Sequence, residues 1–379
     1  MEGVNSLVLI DSFDAFTKKY LNLLLLEAPN TDSVEIYGNT EWRSELSGIS
    51  YFDDTALSYK VRTASPSCYT NFLDYAVDKE KNRIVISRLR HFELFVLDLI
   101  SRPSFDIPIS LGMYGLNEIL GNKIREYAVR QFLSSNHKNR IILHSNGWNS
   151  PASKEWLVKS NLGDLCNQIF LVADPIYESA DLYLSINSVQ ARQHFDLLED
   201  KFYVLFFGSL FFGKGIDLMI EAADYINSEV HILIVGSSQT LNVEIETQKF
   251  SHSQIRFIDQ FTNDDELGLL FCAVDVVALP YRKGYSHGTS GVLVQAGLAK
   301  KPILVPDFEP FRSIVDSYKV GLTFCAEDVK DIGLKINNLQ DSQSQNKPEL
   351  AFEWSPYIKQ LTPWSEIAQH YFEEDKLKL

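Results

Sequence analysis

The chain has 379 residues, 45% hydrophobic and 22% charged, which excludes a disordered chain and leaves room for two α/β domains. Its 35 basic and 50 acidic side chains give a formal charge of −15, which argues against a dedicated nucleic-acid binder, since phosphate contacts need clustered Lys and Arg. The four cysteines, Cys68, Cys166, Cys272 and Cys325, are far apart and form no Cys-x-x-Cys pair. Neither a disulfide framework nor a zinc knuckle is therefore expected, and thiols in a reducing compartment are the plain reading.

Residues 1–11 lack a basic region followed by a long apolar run, so no signal peptide is expected. The most apolar stretch, 202–213, is too short to span a bilayer and reads as a buried strand. These features predict a cytoplasmic protein, either soluble or touching a membrane from that side. In the first half, β-branched and aromatic runs predict strands at 6–10, 33–37, 83–87, 107–111, 140–144 and 168–172. Helical patterns lie between several of them, at 15–26, 91–100 and 122–133. Basic side chains near the last of these, Lys123, Arg125, Arg130, Lys138 and Arg140, read as a solvated face or as peripheral contact with an anionic membrane.

A junction at 187–201 separates this series from a second one. Its strands are predicted at 203–207, 231–235, 255–258, 274–279 and 301–305, and its helices at 216–226, 264–272, 292–299 and 328–339. Strands alternating with helices predict parallel sheets. The chain thus reads as α/β, with two doubly wound Rossmann-like domains over 1–195 and 200–358, facing each other across a cleft. An amphipathic tail helix at 364–372, within 360–379, docks on its own domain or crosses back to the first. In open sheets of this kind ligands bind outside the carboxyl ends of the strands, which directs attention to the turns after Phe207, Ile258 and Leu279.

The first of these turns follows a buried strand and contains Gly208, Gly213 and Gly215 before a helix. Glycine lets backbone approach a ligand closely, a helix start suits phosphate, and Lys214 adds a point charge. Gly208-x-x-x-x-Gly213-Lys214 matches most of a P-loop, yet Gly215 stands where Ser or Thr would hold Mg²⁺, and Phe211 and Phe212 are bulky for a phosphate-wrapping loop. An ordinary strand-to-helix turn with a solvated lysine is the plain alternative. The second turn lies between the strand ending Leu279-Pro280-Tyr281-Arg282 and a helix beginning Ser290-Gly291-Val292, capped by Thr289 or Ser290. Two anion cradles in one domain suit a diphosphate better than either alone.

With these two motifs the segment 203–339 resembles the retaining glycosyltransferases of family four, which have the GT-B architecture. Gly208, then Lys214-Gly215 and Asp217, resembles the pyrophosphate loop of that family. Phe257-Ile258 and the run 273–280 resemble its nucleobase wall, Ser290-Gly291-Val292 onward its donor helix, and 321–324 its closing strand. The resemblance implies transfer of a sugar from a nucleoside-diphosphate sugar to a glycan, lipid-linked or small-molecule acceptor, with retention and with the leaving phosphate as base. The implied donor contacts are Gly208, Ser209, Gly213, Phe257, Ile258, Arg282, Thr289, Ser290, Gly291, Val292 and Gln295, with Lys214 and His287 as catalytic candidates. No cofactor beyond the donor and no metal are expected, because the chain has no Asp-x-Asp and no spaced ligand cluster.

The departures from the family are specific. Its paired Glu residues are His287 and Gln295 here, although the branch with Leu-Pro-Tyr-Arg and Ser-Gly-Val also relaxes the first of them. Gln295 retains hydrogen-bonding capacity toward ribose without a charge. The family's Arg after the loop glycine is Ser209, leaving Arg282 or Lys283 as substitutes. Its N-domain His falls near Met113 and Tyr114, with His91, His144 and Arg90 as neighbouring candidates. These changes keep a second class in view, a degenerate transferase fold that binds a sugar nucleotide or scaffolds a partner.

Overall fold

The computed structural model describes residues 5–9, 24–25, 33–38, 50–53, 67–89, 91–114, 119, 123–145, 158, 160–173, 183, 185–208, 210–236, 253–258, 264–283, 290–344 and 352–372. The chain divides into two units, Met1–Pro175 with Thr362–Leu379, and Ile176–Leu361.

The first unit is built on the parallel strands β1 (Asn5–Leu9), β2 (Ser33–Gly38), β3 (Ser50–Asp53), β4 (Arg83–Ile86), β5 (Ile109–Tyr114), β6 (Arg140–Ser145) and β7 (Ile169–Ala173). Their spatial order is β3-β2-β1-β4-β5-β6-β7. Central strands such as β4, Arg-Ile-Val-Ile, are buried along their whole length, which is why they read as unbroken apolar runs rather than alternating ones. The first helix, α1 (Ser67–Asp78), and the edge strand β3 were not among the elements predicted from sequence. β5 starts at Ile109, two residues later than predicted, because Pro108 has no N–H to give and serves instead as acceptor for Ile84 N–H at 2.9 Å. Helix α2 (Phe92–Ile100) buries Phe92, Phe95, Val96 and Leu99, the spacing of one helical face, and packs on α3 (Lys123–Ser135) through an edge-to-face Phe92–Phe132 pair. Of the helix predicted at 15–26 only Leu24 and Leu25 lie among the described residues, and both are helical.

The first helix of the second unit is α4 (Ser188–His194), which lies in the junction 187–201 and inside the bounds 1–195 expected for the first domain. Arg192 on this helix donates to the Ala273 carbonyl at 2.9 Å and pairs with Asp275 at 2.7 Å, tying it to the second sheet. That sheet contains β8 (Phe202–Phe207), β9 (Val230–Val235), β10 (Ile255–Ile258), β11 (Val276–Ala278), β12 (Ile303–Pro306) and β13 (Gly321–Phe324), in the order β10-β9-β8-β11-β12-β13. All of these pairings are parallel, with Phe207 opposite Val235 and Val277 opposite Leu205. The helices that follow include α5 (Ile216–Ala222), α6 (Asp264–Ala273), α7 (Gly291–Leu298), α8 (Phe311–Tyr318) and α9 (Val329–Ser344). α5 is shorter than predicted because it tightens into a 3₁₀ turn over Ala223–Tyr225. The core joins Val204, Phe206, Ile232, Ile234 and Val276 to the buried faces of α5 and α9.

A tail helix, Trp364–Phe372, returns to the first unit and packs on β4 and β5. It buries Trp364, Ile367, Ala368, Tyr371 and Phe372. Gly112 in β5 makes room for it, since a Cβ there would collide with the Tyr371 hydroxyl. The buried Arg83 guanidinium donates to the Tyr371 carbonyl at 3.4 Å, placing a cation at the negative end of the helix.

Candidate functional site

In the second sheet the chain leaves β8 in one direction for β9 and in the other, later, for β11. That reversal places the topological switch point between β8 and β11, outside whose carboxyl ends a ligand crevice is expected. The first glycine-containing turn singled out in the sequence lies there, together with the described flanks of the second, which end at Lys283 and resume at Ser290.

Gly208 continues β8 with φ +113°, a conformation that favours glycine, and its N–H donates to the Val235 carbonyl at 3.0 Å. Gly236, at the matching end of β9, lies so close that any Cβ on it would overlap the Gly208 carbonyl. Its N–H bonds the Ile258 carbonyl at 3.1 Å, so the ends of β8, β9 and β10 are locked side by side. Phe257 is half-buried against the core and Ile258 half-buried at this edge.

After Gly208 the chain forms the 3₁₀ turn Phe212–Lys214, closed by Gly215 at φ +72°. A Cβ on Gly215 would strike the Pro280 carbonyl, so this turn is seated directly on the end of β11. Lys214 folds back, and its ammonium lies 2.6 Å from where a Cβ on Gly208 would sit. The same position is 4.0 Å from a methyl of Val292. Lys214 also lies over the Tyr281 ring, 5.7 Å from its centroid. Tyr281 is buried, its hydroxyl lies 3.2 Å from Ser290 Oγ, and burial pushes its ionisation up to about 12, keeping it neutral.

Ser290 caps α7, its hydroxyl accepting from Leu293 N–H at 3.3 Å. A Cβ on Gly291 would meet nothing within 4 Å among the described residues, so the first turn of α7 is open to them at that residue. Gln295, one turn further, is buried, and its Oε1 accepts from the Tyr183 hydroxyl. Arg282 is committed to carboxylates of its own unit, Glu327 at 2.7 Å and Asp217. Lys283 beside it is exposed.

The geometry therefore brings together Gly208, Gly213, Lys214, Arg282, Ser290, Gly291 and Val292, with Phe257 and Ile258 along the adjoining edge and Gln295 beneath. Ser209, His287 and Thr289 lie outside the described residues, as does Arg90. Of the first-unit candidates, His144 is fully buried against the tail helix, its Nε2 3.2 Å from the Tyr371 hydroxyl, a packing role rather than a ligand contact. His91 stands at the start of α2 without a side-chain cap bond. Sequence reasoning missed Gly236, Tyr281 and Tyr183. A glycine closing an apolar strand was available as a signal for the first, whereas Tyr183 lies 112 positions from its partner and leaves no local trace.

Residues 189–360 match the family model of the glycosyl transferases group 1. No curated protein matches the chain in sequence. Among solved structures, it is similar to sucrose-phosphate synthase from Thermosynechococcus elongatus, with TM-score 0.68, 15% identity and 96% of each chain covered. It is similar to Anabaena Alr3699/HepE in complex with UDP-glucose, with TM-score 0.68, 15% identity and coverage of 97% of this chain and 98% of that one. A third similar structure is WaaG, a glycosyltransferase involved in lipopolysaccharide biosynthesis, with TM-score 0.61, 15% identity and coverage of 98% and 96%. Together with the two Rossmann-type strand orders, these likenesses identify the GT-B fold.

Proposed function

We propose that the chain is a glycosyltransferase that takes a nucleoside-diphosphate sugar in the second unit and transfers the sugar, with retention, to an acceptor hydroxyl. One observation carries this reading: at the switch point the Lys214 ammonium lies over Gly208, whose open side also faces a methyl of Val292 in the first turn of α7, within the segment that matches the glycosyl transferases group 1. A diphosphate placed there would be neutralised by Lys214 and by the first N–H groups of α7. The bond from the anomeric carbon to the leaving phosphate breaks, a bond to the acceptor oxygen forms, and the acceptor proton passes to the leaving phosphate. The structure of HepE with UDP-glucose supports starting the donor search with uridine diphosphate sugars. The acceptor is a glycan, a lipid-linked sugar or a small molecule, met at the cytoplasmic face of a membrane if lipid-linked.

A binding-only protein is the second reading, favoured by Gln295, which is neutral where the resembling family carries Glu and already holds Tyr183. Donor sugars of UDP, GDP, ADP and TDP can be ranked by the rise in Tm that each produces. Nucleoside diphosphate release is then followed with an acceptor pool. The proposal expects acceptor-dependent release that persists in EDTA, since the neutralising charges belong to the protein. Stabilisation without release in any acceptor pool would favour the binding-only reading, and release abolished by EDTA and restored by Mg²⁺ or Mn²⁺ would refute the charge assignment.

A further inference from the structure

Arg282 leaves the end of β11, and its main-chain N–H and Nε both serve the turn that carries Lys214. Its main-chain N–H donates to the Gly213 carbonyl at 3.0 Å. Its Nε donates to the Phe212 carbonyl at 3.3 Å, the same oxygen that accepts from Gly215 N–H at 2.9 Å. The guanidinium stacks on the Phe212 ring, 3.9 Å from the centroid, which holds that largely exposed aromatic in place. Its two terminal nitrogens reach Glu327 at 2.7 Å and Asp217. The other oxygen of Asp217 is buried and has no hydrogen-bond partner among the described residues, and Arg282 is the cation that compensates this carboxylate. Glu327 adopts φ +64°, unusual for a residue with a side chain, and that conformation presents it to Arg282. One planar fork thus joins the three loops that follow β8, β11 and β13.

We propose that Arg282 is a positioning residue, which holds the turn 212–215 so that the Lys214 ammonium lies over Gly208, and that it does not itself contact the diphosphate. The role rests on the donor-site reading above and specifies how that site is kept in shape. A cation already bridging two carboxylates and a main-chain carbonyl is poorly placed to take up phosphate, whereas loosening it would release the backbone on either side of Lys214.

A double-mutant cycle read by calorimetric titration with UDP, GDP, ADP and TDP tests this. Wild type, Lys214→Met, Arg282→Gln and the double variant are compared on whichever nucleoside diphosphate wild type binds most tightly. Arg282→Gln should weaken binding about tenfold, and the double variant should bind no more weakly than Lys214→Met alone. Arg282→Lys should fail to rescue, because an ammonium cannot span both carboxylates and the Phe212 carbonyl. Glu327→Gln removes one arm at a half-exposed side chain, so it preserves the test even if Arg282→Gln does not fold. It should weaken binding about threefold in wild type and have no effect beside Lys214→Met. Losses that multiply in the double variant, full rescue by Arg282→Lys, or wild-type affinity in both Arg282→Gln and Glu327→Gln would overturn the positioning role. If Lys214→Met itself binds like wild type, or no nucleoside diphosphate binds wild type, the donor-site reading fails first and the positioning role with it.

Discussion

Lys214 stands just before a helix, where a positive side chain opposes the helix dipole, and Gly215 at φ +72° fixes it there. A diphosphate would reverse the sign of that local balance. Replacing the lysine with methionine keeps most of the stem and removes the charge. Lys214→Met should lower kcat roughly 10²–10³-fold, the usual loss when one preorganised partner of developing charge is removed. Its Tm should change little, since the lost charge opposes the α5 dipole but also lies over the Tyr281 ring, and turnover above about a tenth of wild type would contradict the assignment. Gly291 offers a contrasting test. Because a Cβ there meets nothing within 4 Å among the described residues, Gly291→Val should keep the fold while its branched side chain screens the first N–H groups of α7. The donor Kd is expected to rise by about tenfold or more, about 1.4 kcal/mol. An unchanged Kd with a lowered Tm would assign Gly291 to packing.

At the scale of elements, the tail helix has its own signature. His144, against Tyr371, is held down to about 3, by burial first and then by the charge of His370. His370, packed against Phe170, is held down to about 4, by burial and then by Arg140. Between pH ~6.5 and ~4 the unfolded chain therefore binds protons that the folded one refuses, so unfolding gains as pH falls. This stability is fully present above the unfolded value and fades below it, with a slope of about 1.4 kcal/mol per pH unit for each histidine. Urea midpoints of the first unit should drop from pH 7 to pH 5, and His144→Gln should flatten the drop; an equal drop in that variant would contradict the argument. The elements that were legible in the sequence share a physical cause. β8 (Phe-Tyr-Val-Leu-Phe-Phe) and β9 (Val-His-Ile-Leu-Ile-Val) are sandwiched on both faces and so appear as apolar runs, and the tail helix carries its buried stripe at helical spacing. β3, short and at an edge, carries Asp and Ser beside its aromatics and gives no such run. In the site, glycines at strand ends were readable as close approaches. The partners of Arg282 were not, because Asp217 and Glu327 lie 65 and 45 positions away and long-range pairing leaves no periodic mark.

On the scale of the whole molecule, two parallel sheets with Rossmann-type strand orders divide the work that the proposal assigns. The second unit holds the β8–β11 reversal, where the proposal seats the diphosphate, and the first keeps its sheet covered by a helix drawn from the far end of the chain. No helix among the described residues is long and apolar enough to cross a membrane. Folds of this kind host many chemistries, so the location of the bound diphosphate matters more than the fold. The most direct measurement is hydrogen exchange of the intact protein with and without the nucleoside diphosphate that raises its Tm most. The account predicts slowed exchange at 210–215 and over the first turn of α7, with both effects lost in Lys214→Met. Protection confined to the first unit, or leaving both of those segments unchanged while the ligand is bound, would contradict it.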